Sequence, residues 1–143
     1  RMESGFLHWG HDISPEENQY EAGLNFAISY KKNIDFVGKQ ALLKIKEKKQ
    51  KKQFLMLTLK DTKPGEPLIL HDEPIYLDDK IIGRTTSGNF SFNFNKNLAF
   101  GYVRIDEDIK SLKKNVIEIE IEKNKYKAEI LMKPLNQKDY KNS

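Results

Sequence analysis

The second half of the sequence alternates between apolar and polar side chains, and this alternation strongly restricts the fold. Short runs of it lie at residues 54–59, 68–70, 75–77, 80–84, 98–103, 116–121 and 126–132. A period of two places every second side chain on the same face of a β-strand. Turn residues separate the runs, as in Pro64-Gly65-Glu66-Pro67 and Asp78-Asp79. Many short strands with such turns predict a sandwich or a closed barrel.

The first fifty residues show a different pattern. Ser14 precedes Pro15 and two glutamates, a combination typical of the first turn of a helix. Residues 24–30 alternate and predict a strand, while residues 34–49 carry apolar side chains at helical spacing and predict a short amphipathic helix. We therefore expect a mostly β protein with an α+β remnant of one domain at 1–50, an all-β domain at 51–135 and a polar tail at 136–143.

Composition excludes several classes of site. The chain has 143 residues and no cysteine, which excludes disulfides, cysteine-ligated metal centres and thiol nucleophiles. No apolar run approaches the ~20 residues that cross a bilayer, so no transmembrane segment is predicted. The net charge is +4, but only Arg1, Arg84 and Arg104 are arginines. Lysine is weaker evidence for nucleic-acid recognition, and we interpret the lysine-rich residues 44–52 as a solvated face.

The first twelve residues gather groups that could bind a ligand. His8, His11 and Asp12 form an H-x-x-H-D pattern, which is weak evidence for a metal because the spacing supplies no further ligand. Trp9 could stack on a flat heteroaromatic ligand while nearby charged groups hold its polar edge. The alternative is that Trp9 fills the core and the histidines cap local backbone groups. No glycine-rich phosphate-binding loop is present, since Gly83 and Gly88 are isolated.

Two further groups of residues allow more than one interpretation. Phe90, Phe92 and Phe94 alternate, and could stack single-stranded bases or fill the interior of a barrel. Their serine and asparagine neighbours favour the interior. Residues 106–108 are all acidic, and we expect them to cap a turn or short helix. No paired acid and base can be assigned from them.

Motifs in the first half of the chain resemble those of one family. Residues 1–6 (RMESGF) resemble its R-[LIM]-E-x-G stretch. Residues 8–13 (HWGHDI), followed by 21–24 (EAGL), are similar to a pattern of one branch of it. Residues 35–42 (DFVGKQAL) resemble its D-F-[IV]-G-[KR]-x-A-L helix entry. Singly each motif is modest evidence, but they occur in the family's order.

The second half adds the motif of a barrel. Residues 83–88 (GRTTSG) and 98–103 (LAFGYV) resemble the family's G-x-[TV]-T-S-G…[LI]-A-x-[GA]-Y-V signature. The family is the glycine cleavage T-protein (aminomethyltransferase) superfamily, and the branch is that of the dimethylglycine and sarcosine dehydrogenases. The resemblance implies that residues 1–50 are the end of a folate-binding domain and that residues 51–135 form the small Greek-key β-barrel of the aminomethyltransferase C-terminal type.

The resemblance also implies a cofactor and a site. Tetrahydrofolate would accept a one-carbon unit from an amine donor, Arg1 would bind the folate, and Trp9 would line its pocket. The family's catalytic aspartate lies upstream of the matching region, so these residues alone are expected to be inactive, and no catalytic residue is assigned. FAD would belong to a further N-terminal domain. The expected partners are the folate, the amine donor and the remainder of the parent chain, in the cytoplasm or, in a eukaryote, the mitochondrial matrix; no nucleic acid or membrane is expected.

Three hypotheses about function remain at this point. The first is the C-terminal portion of a folate-dependent enzyme of the dimethylglycine/sarcosine dehydrogenase type, which residues 8–13 favour. The second is a stand-alone glycine cleavage T-protein or a related folate-dependent demethylase. The third, of another class, is a non-catalytic β-barrel that binds nucleic acid or another partner, which the lysine excess and Phe90, Phe92 and Phe94 suggest.

Overall fold

A computed structural model of the chain describes residues 1–32, 34–104, 112 and 116–136. The predictions for residues 106–108 and for all but the first residue of the polar tail lie outside the described residues. Six strands form the main body: β1 Lys52–Leu59, β2 Pro74–Leu77, β3 Lys80–Ser91, β4 Lys96–Arg104, β5 Ile117–Ile121 and β6 Asn124–Leu131. The helix α1 spans Lys39–Glu47, and two 3-10 turns span Met2–Ser4 and Asn25–Ala27.

The strands close into an antiparallel barrel in the order β1-β4-β3-β2-β5-β6, with β6 pairing back onto β1. Strands β2, β3 and β4 follow one another, whereas β1 lies beside β4, which gives a Greek-key arrangement. This architecture confirms the mostly β, small-barrel prediction. The closure is partial along β1, because β6 pairs only with its residues Met56 to Leu59, and the Phe54 N–H donates instead to the Glu21 carbonyl oxygen. No helix in the described part of the chain has the length and apolar character needed to cross a bilayer.

The alternation in the sequence divides each strand between two environments. Leu55, Leu57 and Leu59 of β1 belong to the buried cluster inside the barrel. The intervening Phe54 and Met56 lie in a second cluster, outside it. The interior cluster is completed mainly by Ile69, Ile75, Ala99, Val103, Ile117, Ile119, Ile121 and Ile130. Its aliphatic character is what the period-two pattern predicts for a barrel filled by side chains.

The first residues of the chain cover the outer face of β1 and β4. Met2 is buried against Leu98 and Phe100, and Leu7 packs at the margin of the same cluster. Seven consecutive residues of β4, from 97 to 103, are therefore buried, although a strand with one solvated face would expose every second one. Residues 1–26, which we call the N-terminal segment, thus pack directly against the barrel.

Two predicted strands are wrong. Residues 24–30 contain the 3-10 turn Asn25–Ala27 and no strand, and Phe26 is exposed. The backbone is satisfied within a tight turn instead, because the N–H groups of Ala27 and Ile28 donate to the carbonyl oxygens of Leu24 and Asn25. Residues 68–70 are also not a strand: Ile69 is buried in the barrel core, while Leu68 and Leu70 are exposed. Their alternation reflects a single buried side chain on a connecting segment.

The helix predictions for the first fifty residues are only partly right. Ser14 accepts a hydrogen bond from the Glu16 N–H, and Glu17 accepts from the Ser14 N–H, as at a helix start. The chain makes only a turn there, because Asn18 begins another turn by accepting the N–H of Tyr20. The amphipathic helix exists but is shorter than residues 34–49, since Gly38 with φ 88° precedes its first turn.

Gly83 lies where the backbones of β3 and β4 approach each other closely. A Cβ at this position would lie 1.9 Å from the carbonyl oxygen of Tyr102 on β4, so the backbones would have to separate. We expect Gly83→Ala to lower the free energy of unfolding by about 3 kcal/mol, because no flexible side chain can move aside. Urea denaturation measures the change. The control is Ile81→Ala, at an exposed position of β3, and equal midpoints for the two variants would contradict the close approach.

Candidate functional site

A buried carboxylate joins the N-terminal segment to the barrel. The Asp12 side chain has no exposed surface. Its Oδ1 accepts hydrogen bonds from the hydroxyls of Thr86 at 2.6 Å and Ser87 at 2.7 Å, both on β3. Its Oδ2 accepts from the His8 backbone N–H at 2.9 Å and from Nη1 of Arg1 at 2.7 Å. Four donors therefore surround one ionised group, which is how a protein accommodates a buried charge.

Arg1 is held at the same point by two more bonds. Its Nη1 also donates to the carbonyl oxygen of Phe6 at 2.9 Å, and its Nη2 donates to Oγ of Ser87 at 2.8 Å. The guanidinium carbon lies 5.8 Å from the centroid of the Phe100 ring. About a third of the side chain, 37%, stays exposed. Arg1 thus serves as a structural anchor and still reaches the surface.

The electrostatics of the cluster favour charged Asp12 and neutral Tyr102. Burial raises the pKa of the Asp12 carboxyl, but the bonds from Thr86, Ser87, the His8 N–H and Arg1 outweigh it and hold the pKa below its usual range. Burial, reinforced by the acidic groups Glu17, Asp12 and Glu21, raises the pKa of Tyr102. The Tyr102 hydroxyl therefore stays protonated and donates to the Asp12 carbonyl oxygen at 2.8 Å.

Two other carboxylates also attach the N-terminal segment. Glu3 accepts hydrogen bonds from Ser91 Oγ at 2.6 Å and from the Asn93 side-chain amide at 2.7 Å. Glu17 is ion-paired with Lys52 at the start of β1. These contacts attach the segment at the end of β3 and the start of β1, so its position against the barrel is fixed at several points.

An open groove of about 1260 Å³ runs between this segment and the outer face of the barrel. Its lining is mainly apolar and includes Phe6, Leu7, Trp9, Phe26, Phe54, Met56, Leu131 and Met132. Polar side chains are fewer, among them Gln53, Lys133 and Asn136. The Trp9 side chain is 65% exposed, so the alternative in which it fills the core is wrong. An apolar groove with a few polar groups is the usual form of a small-molecule site.

The two residues predicted to bind folate lie in one structural unit but not on one surface. Trp9 lines the groove, whereas Arg1 is not among the lining residues. They are connected through Phe6, whose carbonyl accepts from Arg1 and whose side chain lines the groove, and through the turn of residues 8–13. Any shared ligand would have to extend from the groove to the exposed part of Arg1.

The structure does not assemble a metal site from the H-x-x-H-D pattern. The rings of His8 and His11 stack at 4.6 Å, and the Asp12 carboxylate is engaged by its four donors. No group of three or more potential ligands is found within the described ranges. The role of the pattern in the fold is that Asp12 closes its turn by bonding the backbone of His8.

The alternating phenylalanines do not fill the barrel interior. Strand β3 ends at Ser91, and Phe92 and Phe94 follow it in the turn to β4. Phe92 is 85% exposed, and its ring contacts that of Phe90 edge-on at 5.0 Å between centroids. The interior interpretation is therefore wrong, because the strand ends before the alternation does.

The hydroxyls of Thr86 and Ser87 are site residues that the sequence did not assign. Both lie in the GRTTSG motif, whose resemblance to the family assigns no role to the individual side chains. Their partner Asp12 is more than seventy residues away. The spacing of residues along the sequence therefore could not predict these contacts.

The buried carboxylate should make stability depend on pH. Because the pKa of Asp12 is lowered in the folded state, its contribution is present above the unfolded value of about 4 and is lost as the pH falls through the folded value. We expect Asp12→Asn to lower the free energy of unfolding at pH 7 by about 2 kcal/mol. The loss stays moderate because the Arg1 side chain, which is 37% exposed, can be partly rehydrated.

Denaturation curves from pH 7 to pH 2 measure this dependence. The difference in the free energy of unfolding between the original protein and Asp12→Asn should become smaller below about pH 4. Asp61→Asn, at an exposed position, is the control and should follow the original protein throughout. A gap that stays constant in acid would show that the ionised form of Asp12 is not what stabilises the fold.

The sequence and fold match known proteins. Residues 52–136 match the glycine cleavage T-protein C-terminal barrel domain. The chain is 37% identical over 137 residues to mitochondrial dimethylglycine dehydrogenase of Rattus norvegicus, covering 94% of this chain and 15% of that protein. It is 37% identical over 134 residues to the aminomethyltransferase of Listeria welshimeri, covering 94% of this chain and 35% of that protein.

A solved structure has the same fold. The glycine cleavage system aminomethyltransferase T from Bartonella henselae superposes with a TM-score of 0.77 and 23% sequence identity, over 94% of this chain and 36% of that one. The chain thus spans a minor part of each of these proteins. Because the domain match covers more than half of the chain, the chain belongs to the glycine cleavage T-protein (aminomethyltransferase) family and carries its C-terminal barrel domain.

Proposed function

We propose that the chain is the C-terminal portion of a tetrahydrofolate-dependent enzyme that transfers a one-carbon unit from glycine or a methylated glycine derivative to tetrahydrofolate. The main observation that supports the proposal is the groove. Its lining includes the exposed Trp9, which belongs to the same N-terminal segment as the Arg1–Asp12 ion pair. In this proposal Trp9 stacks on the folate and Arg1 binds its anionic part. In this proposal the ligand binds in the groove.

The groove fits the chemistry of a folate. A pterin is flat and has polar edges, so an apolar wall with an indole ring and a few amide and ammonium groups suits it. Gln53 and Asn136 offer amides, and Lys133 offers a cation, along the groove's lining. Folate also carries a glutamate, whose carboxylates suit a partly exposed guanidinium such as that of Arg1.

In this proposal the described residues bind and orient, and other residues of the protein perform the transfer. Holding a donor and an acceptor together supplies much of the rate in such a reaction. The carboxylate that acts at the folate nitrogen would come from the remainder of the same protein. An FAD-binding domain, if the protein has one, would also lie there, and the protein would work in the cytoplasm or the mitochondrial matrix.

Within the family, we favour the dimethylglycine/sarcosine dehydrogenase type. The rat dehydrogenase and the Listeria aminomethyltransferase are equally similar to the chain, so overall identity does not separate the two types. The HWGHDI motif of residues 8–13 supports the dehydrogenase type. The alternative is a stand-alone glycine cleavage T-protein or a related demethylase. A G-x-G-x-x-G motif and an FAD domain upstream in the complete protein would support the first choice, and their absence would overturn it.

Titration calorimetry of the complete protein with tetrahydrofolate tests the proposal. Trp9→Ala should weaken binding by about tenfold, because an aromatic stacking contact contributes roughly 1 kcal/mol or more. The control is Phe92→Ala, which removes an exposed aromatic ring outside the groove lining and should change the affinity less than twofold. Absence of folate binding, or unchanged affinity in Trp9→Ala, would contradict the proposal.

One observation favours a second candidate, a β-barrel that binds single-stranded nucleic acid. Phe92 is exposed beside Phe90, as in a stacking surface for bases. Under our proposal, the protein shows no salt-sensitive binding of a single-stranded oligonucleotide. Fluorescence anisotropy at about 50 and 200 mM salt measures this. Salt-sensitive binding that Phe92→Ala abolishes would favour the second candidate, and Trp9→Ala serves as its control.

A further inference from the structure

We propose that Asp12, together with Ser87, is a positioning residue for ligand binding: it holds one end of the Arg1 guanidinium so that the opposite edge is kept ready for a carboxylate. The inference rests on the proposed function, in which that carboxylate belongs to the glutamate of folate. It goes further by assigning a role to a buried residue that touches no ligand itself.

The hydrogen bonds of Arg1 use one end of its guanidinium. Nη1 donates to Asp12 and to the Phe6 carbonyl, and Nη2 donates to Ser87. The two side-chain acceptors are themselves joined, because Ser87 Oγ donates to Asp12 Oδ1 at 2.7 Å. Acceptors so close to one another must face the same end of the planar guanidinium, the end that carries Nη1 and Nη2.

The opposite edge of Arg1 keeps two donors. A guanidinium has five N–H groups, and three of them have the partners just described. Within residues 1–32, 34–104, 112 and 116–136, no acceptor is recorded for Nε–H or for the second Nη2 N–H. These two groups lie on neighbouring nitrogens and form a fork that matches the two oxygens of a carboxylate. The side chain is 37% exposed, so a ligand can reach it.

Asp12 can position Arg1 because Asp12 is buried and is itself held by several hydrogen bonds. Thr86 and the His8 N–H hold its carboxylate, and the Tyr102 hydroxyl holds its carbonyl oxygen. A free arginine would lose side-chain entropy on binding, and a clamped one has already lost it before the ligand arrives. Removing the clamp should therefore weaken the affinity for the ligand while the ligand's own contacts remain the same.

Calorimetry of the complete protein with tetrahydrofolate, in a double-mutant cycle, tests this role. Asp12→Asn should weaken binding by about tenfold in the original protein and by less than about twofold in an Arg1→Ala background, since the effect acts through Arg1. Ser87→Ala removes the bridging hydroxyl at a smaller cost to the fold, and should show the same dependence on Arg1. If Asp12→Asn does not fold, the same measurements are made with Ser87→Ala.

Glu3→Gln is the matched control. It weakens another attachment of the same segment, to Ser91 and Asn93, without touching Arg1. It should lower the melting temperature while leaving folate affinity within about twofold. A tetrahydropterin that lacks the glutamate is the second probe, and its affinity should be the same with and without Asp12→Asn.

The outcomes separate this inference from the proposed function. If the original protein does not bind tetrahydrofolate, or if Arg1→Ala binds it normally, the role given to Arg1 in the proposed function fails and the inference falls with it. If Arg1→Ala loses affinity but Asp12→Asn and Ser87→Ala do not, only the inference is wrong. If Asp12→Asn weakens binding equally with and without Arg1, or weakens tetrahydropterin binding as strongly, its role is merely structural.

Discussion

The attachment of the N-terminal segment to the barrel depends on one buried ionised group. The Asp12 carboxylate has two partners nearby in sequence and two more than seventy residues away, and leaving it buried without donors would be costly. The N-terminal segment supplies Arg1 and the His8 N–H, and β3 supplies two hydroxyls. Neither part can satisfy the charge alone. Apolar contact has no direction, whereas these hydrogen bonds fix how the segment is oriented on the barrel.

The pairing of the barrel limits the form that the preceding residues can take. Only a short stretch of β1 is left unpaired, where the Phe54 N–H donates to the Glu21 carbonyl oxygen, so the described residues before β1 satisfy most of their backbone groups in turns, one helix and side-chain contacts. They do this against the outer faces of β1 and β4, where Met2 covers Leu98 and Phe100. The groove is the space that this covering leaves open, with Trp9 on one wall and Phe54 on the other.

The sequence predicted the structure best where the spacing of apolar residues along a strand follows directly from which side chains are buried. The barrel followed from alternation in β1, β4 and β5, because each of these strands buries one set of side chains in a common interior. The same rule failed at residues 24–30 and 68–70, where alternation occurs without a partner edge, and at Phe92, where the strand has already ended. The site depends on contacts such as Asp12 with Ser87, which close the chain over seventy-five residues and leave no local pattern.

The resemblance and the structure contribute different parts of the functional argument. The resemblance identified Arg1 as a folate-binding candidate and Trp9 as a residue of the folate pocket, and the structure places Trp9 on an apolar surface and Arg1 in a charged cluster beside it. Stacking needs an accessible aromatic face from which the ligand displaces water, and charge recognition needs a guanidinium that the ligand can reach. A ligand with a flat ring and a distant carboxylate satisfies both conditions, and folate has that shape. The separation of Trp9 from Arg1 is thus the physical reason why our proposal favours folate over a compact ligand such as an amino acid alone.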